Sequence, residues 1–158
     1  MRTRVVVGVV AGVVLVLGAG AFGVVRLFAP PDAAGVLQEI DVHGYSRTAE
    51  FGISDWAHGA AQENGVYIGP PATDGLAVVI AAPGLVLHEL TPQPGAPSTD
   101  ATDAVADGDL PDRCELSVGR LRKGEAPQPK WQISEAQLGD VRAGRLDLLV
   151  VEVDCFNS

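Results

Sequence analysis

Cys114 and Cys155 carry the most definite chemistry in this chain. They lie 41 positions apart, both in segments that read as strands, and as the only two cysteines they allow one pairing. The C-x-x-C spacing and the helix N-terminus that lower a thiol's pKa are both missing. A structural disulfide is therefore expected rather than a redox couple. On the chain-entropy account, closing a loop of this length stabilises the fold by about 4 kcal/mol.

A second set of candidate groups is acidic. Thr91–Asp112 holds four prolines, five aspartates and no basic residue, and reads as a mobile acidic loop over 91–112. Asp107, Asp109 and Asp112 form its densest cluster and are weak calcium candidates. Calcium needs six to eight oxygens, the EF-hand pattern is absent, and the prolines limit wrapping. No cofactor is expected.

A basic stretch follows directly. Arg120, Arg122, Lys123 and Lys130, with Trp131 beside them, make a candidate interaction patch able to dock an acidic partner. The plainer alternative is that these cations neutralise the acidic run next to them. His43, His58 and His88 are the only histidines. His58 has Ser54, Asp55 and Trp56 nearby, and His88 reads as a partly buried strand residue. No metalloprotease, phosphate-loop or nucleophile-elbow motif is present, so no catalytic residue is assigned and no enzyme is expected.

The elements that must position these groups are short. Val36–Val42 alternates and predicts a first strand, and Tyr45–Ile53 predicts a second. Ser54 is a candidate N-cap for a helix ending at Asn64-Gly65. Leu76–Ala82 and Leu85–Leu90 flank Pro83-Gly84 and predict a hairpin. Cys114–Leu121 alternates, Lys130–Ile133 reads as a short strand, and Ser134-Glu135-Ala136-Gln137 matches a capping box. Leu146–Cys155 is apolar on both faces in its middle, which predicts a central strand.

Together these elements predict a mainly β domain, a two-sheet sandwich with one or two short helices. Short strands with one disulfide resemble secreted immunoglobulin-like sandwiches in general architecture. Cys114, Trp131 and Cys155 echo that family's Cys…Trp…Cys core at a shorter spacing. Fold analogy implies no function.

Placement comes from the N-terminus. Val5–Val25 is a run of 21 residues without a charged or strongly polar side chain, preceded by Arg2 and Arg4 and closed by Arg26. As a helix it is roughly 32 Å long, enough to cross a bilayer core. The charge asymmetry keeps residues 1–4 inside, so a spacer at 26–35 and a domain at 36–158 are expected outside the cytoplasm. The competing reading is cleavage near Ala21 and secretion. Beyond Arg26, eight basic residues face twenty acidic ones, a formal charge of −12. Such a surface excludes nucleic acid as the main partner. The expected function is a non-enzymatic, membrane-anchored envelope protein presenting its domain to another envelope protein. A module binding a ligand or cation through the acidic loop is the alternative. Its oligomeric state is left open, because the Gly8/Gly12 spacing matches chance in so glycine-rich a helix.

Overall fold

The computed structural model describes residues 32–55, 60–91 and 101–156. Val5–Val25 lies outside them, and among the described residues no helix is long and apolar enough to cross a membrane. The architecture is mainly β, with two antiparallel sheets and a few short helices.

The chain begins with helix α1 (Ala33–Glu39), whose N-cap Asp32 accepts a hydrogen bond from the Gly35 amide at 2.8 Å. A strand was expected here. Ala33, Leu37 and Ile40 are the buried positions, and their 4-3 spacing is the helical period hidden within an alternating pattern. Strand β1 (Asp41–Val42) follows, then the hairpin β2 (Ser46–Asp55) and β3 (Ala60–Gly69). The expected helix ending at Asn64-Gly65 is instead strand β3, because β2 and β8 (Asp147–Phe156) pair along both its edges. Tertiary pairing outweighs the helical propensity of Ala60–Glu63.

Leu76–Val79 forms helix α2, held at its start by Glu89, whose Oε1 accepts from the Leu76 amide at 2.6 Å. The Pro83-Gly84 turn forms as expected, with Leu85 N–H donating to the Ala82 carbonyl at 3.2 Å and Gly84 at φ 73. Its flanks do not pair with each other. Strand β4 (Ile80–Ala81) pairs with β1, and β5 (Val86–Glu89) pairs with β6 (Thr102–Leu110). Nine of the 22 residues of the expected acidic loop, Thr102–Leu110, are therefore strand β6. Its buried residues are Val105, Ala106, Gly108 and Leu110, and the small Ala106 and Gly108 mute the apolar half of the alternation. Gly108 has no room to be larger: a Cβ there would lie 2.8 Å from the Val86 carbonyl. Of that loop, residues 92–100 lie outside the described residues.

Strand β7 (Cys114–Leu121), a 3-10 turn at Pro129–Trp131 in place of the expected strand, and helix α3 (Glu135–Arg142) lead into β8. The Ser134 capping box is present. Six strands lie in one antiparallel sheet in the order β2-β3-β8-β7-β6-β5, and β1-β4 is a separate two-stranded ribbon. The final strand is central, as expected. The two sheets are thus a full sheet and a ribbon rather than two comparable layers of a sandwich.

Alternation along β8 divides the core. Leu149, Val151, Val153 and Cys155 face one side, where α1 and the ribbon cover them together with Leu116, Val118 and Tyr67. Leu148 faces the other side and packs with Ala49, Val66 and Trp131. Cys114 and Cys155 sit directly opposite each other on adjacent strands and form the disulfide, with a Cα–Cα distance of 4.1 Å. Trp131 lies on the opposite face from the disulfide. The Cys…Trp…Cys echo of an immunoglobulin core therefore does not correspond to a packed unit.

Candidate functional site

The basic stretch is largely absorbed by the fold. Arg120 Nε donates to Asp147 at 2.9 Å, and Arg122 Nε donates to Asp103 at 2.8 Å. Lys130 Nζ stands 3.8 Å from the Phe51 ring centroid. Trp131 is only 2 % exposed, and its carbonyl accepts from the Thr48 hydroxyl at 3.0 Å. Of the five patch residues Lys123 alone is exposed and has no such partner among the described residues. A docking patch needs available charge, and here the arginines are already matched by carboxylates.

Nor do the calcium candidates converge. Asp107 and Asp109 alternate out of strand β6, about 7 Å apart along the chain. Asp112 sits beyond them in the Pro111–Arg113 turn, at φ 59. Among the described residues, no three His, Cys, Asp or Glu side chains come together to hold a metal ion. Trp56 and His58 lie outside the described residues, while Ser54 and Asp55 belong to β2. His43 and His88 are both exposed.

Register reveals a constellation that sequence reading does not. On the sheet face away from α1, one rung runs His88, Asp107, Ser117, Glu152, Asn64 and Phe51, directly opposite one another from β5 to β2. The next rung runs Val86, Asp109, Glu115, Asp154 and Gln62. Trp131, Ile133 and Val141 pack with Ala49, Val66 and Leu148 at the other end of this face, and Phe51 of the first rung joins that cluster. Asp107, Asp109, Glu115 and Ser117 are exposed. Asp107, Asp109, Glu115 and Asp154 join no ion pair among the described residues. The signal for the rungs was the alternation in β6 and β7, but only the pairing shows which residues share a face.

The first rung contains serine, histidine and aspartate, but in an order unsuited to nucleophilic catalysis. A triad needs histidine between the serine and the acid. Here Asp107 stands between His88 and Ser117, whose strands are two steps and about 10 Å apart. What the face offers is negative charge bordered by apolar side chains. Val86 is 57 % exposed at one side, and Phe156, at the end of β8 on the same face, is 47 % exposed.

The covered face holds two buried phenols, Tyr45 and Tyr67, whose hydroxyls make no hydrogen bond of normal geometry among the described residues. Burial, reinforced by Asp147 and only partly offset by Arg120 and the Ala72 backbone, pushes the Tyr45 phenol up to about 12. Burial also raises Tyr67. The rings lie over glycines of β3: a Cβ at Gly69 would sit 2.5 Å from Tyr45 Cγ, and one at Gly65 2.6 Å from Tyr67 Cε2. These tyrosines serve as core rather than as a pocket.

No family model matches the sequence, and no curated protein or solved structure matches it either.

Proposed function

We propose that this chain is a single-pass protein of a bacterial cell envelope, held by Val5–Val25 with its N-terminus in the cytoplasm. Its exported β domain binds another envelope protein, works without a cofactor and catalyses no reaction. The observation that carries this reading is the open sheet face, on which four carboxylates stand without an ion-pair partner among the described residues. Uncompensated like charge at neighbouring positions costs stability, and proteins tolerate such costs where a surface is used. The uncharged run of 21 residues with two arginines before it supports the anchor and its direction.

The test joins localisation to partner capture. Intact cells are treated with an external protease and fractionated, and the N-terminus is weighed by mass spectrometry. Crosslinked complexes are then purified through a tag. The expected result is a membrane-bound chain with an intact N-terminus, a protease-accessible C-terminal domain and one reproducible protein partner. A soluble cytoplasmic chain, or recovery of background proteins only, would contradict it. A shortened N-terminus beginning near Phe22 would replace the anchor by secretion while leaving the binding role in place.

A further inference from the structure

We infer that the sheet face covered by α1 carries, at its β2 border, a binding site for a primary ammonium group, with Tyr67, Glu63 and Glu50 as its three acceptors. This site lies on the opposite face from the acidic rungs and does not depend on the interaction role proposed above.

Register assembles it. Arg47, Glu50 and Gly52 of β2 stand directly opposite Tyr67, Gly65 and Glu63 of β3. The bulge between Arg47 and Ala49 brings Arg47 and Glu50 to one face in spite of their odd spacing. The two glycines leave room that neighbouring side chains enter. The Tyr67 ring leans over Gly65, and its hydroxyl lies 3.0 Å from where a Gly65 Cβ would stand. The Glu63 carboxylate lies over Gly52. Hydroxyl and carboxylate thus end at adjacent positions of the face, with Glu50 beside both.

Two of these groups lack a partner. The Tyr67 ring serves the core, but its hydroxyl finds nothing there. The residue is 4 % exposed, and the hydroxyl is closed to solvent without a hydrogen bond among the described residues. Leaving such a group unmatched is costly, so it points to something that reaches it. Glu63 joins no ion pair or hydrogen bond among the described residues. Burial, and then the Glu50 charge, raises its carboxyl above the usual range, as a carboxylate without a cation behaves.

Charge selects the ligand. Glu50 is paired with Arg47, whose guanidinium stands 5.7 Å from the Tyr67 ring centroid. Arg47, Glu50 and Glu63 therefore sum to one negative charge, which one ammonium cancels and a divalent metal ion would exceed. The three N–H donors of a primary ammonium match the two carboxylates and the phenol oxygen. Arg47 and Glu50, with side chains 33 % and 35 % exposed, are the cover that swings outward to admit it. Asp41 also acts on the phenol, more weakly than Arg47 and Glu50, and is 71 % exposed beside His43.

The test follows the full chain in detergent by NMR, isotope-labelled at the tyrosine Cζ atoms. Tyr45 and Tyr67 are the only tyrosines, and Tyr67→Phe assigns their two signals. The probes are n-butylammonium, butyltrimethylammonium, which has the same charge and no N–H donor, and a blocked glycine–lysine–glycine peptide. The expected result is a saturable shift of the Tyr67 signal with n-butylammonium, a fixed Tyr45 signal, and no saturable shift with the trimethyl compound. Glu63→Gln should weaken binding about tenfold or more, while Glu39→Gln, the same charge change on α1, should bind as the parent does. Circular dichroism checks that both variants fold. Tighter binding of the peptide than of n-butylammonium would make a protein lysine the natural ligand, and equal or weaker binding a free amine. A Tyr67 signal that does not move, an equal response to both ammonium compounds, or equal losses in the two variants would overturn the inference.

Discussion

Asp109 and Glu115 face each other across β6 and β7 with the same charge, and Asp154 extends the row into β8. Asp109→Asn or Glu115→Gln should therefore raise the stability of the free protein by a few tenths to about 1 kcal/mol, read from urea denaturation. A loss of stability in both variants would mean that the rung is compensated. On the other face, Tyr67→Phe removes a buried hydroxyl that has no partner among the described residues. Stability should hold or rise slightly, and a loss of about 1 kcal/mol or more would contradict that. Tyr45 makes the fold sensitive to alkali. A phenol whose folded pKa lies above its unfolded value contributes stability that is complete below the unfolded pKa, about 10, and lost as pH rises through the folded one. With Tyr45 pushed up to about 12, melting temperature should fall between those pH values, and Tyr45→Phe should flatten the fall. An unchanged alkaline slope in that variant would assign the loss to other groups.

At the scale of elements, β3 depends on glycine as much as on its apolar residues. Gly69→Ala forces a Cβ to within 2.5 Å of the Tyr45 ring and should cost about 1–3 kcal/mol. The cost should shrink in a Tyr45→Ser background, and an equal cost there would place the conflict elsewhere. The same elements explain what could be read from sequence. Cys114–Leu121 was legible because its inward residues are cysteine, leucine and valine, and the α3 boundary because Ser134 and Gln137 form a capping box. Strand β6 was not, since Ala106 and Gly108 carry little apolar signal between aspartates. Leu76–Val79 reads as strand from its β-branched residues, while the Glu89 carboxylate that caps it comes from thirteen residues away. The acidic character of Asp107 and Asp109 was legible, but their neighbours Glu115, Ser117, Glu152 and Asp154 share their face only through register. Non-local pairing of this kind leaves no local pattern.

Across the whole molecule, the Cys114–Cys155 bridge ties the last strand to β7, in the middle of the six-stranded sheet. Replacing both cysteines by alanine should lower stability by about 2–4 kcal/mol while the acidic rungs stay in place. In the proposed reading, the membrane anchor is a tether and the charged face is the surface it presents. A photo-crosslinking amino acid placed in intact cells at Ser117, in the centre of the open face, tests this most directly against the same probe at Gln38 on helix α1. A defined protein adduct is expected from position 117 and none from position 38. Adducts from position 38 alone, or from neither position, would contradict the proposed role of this face.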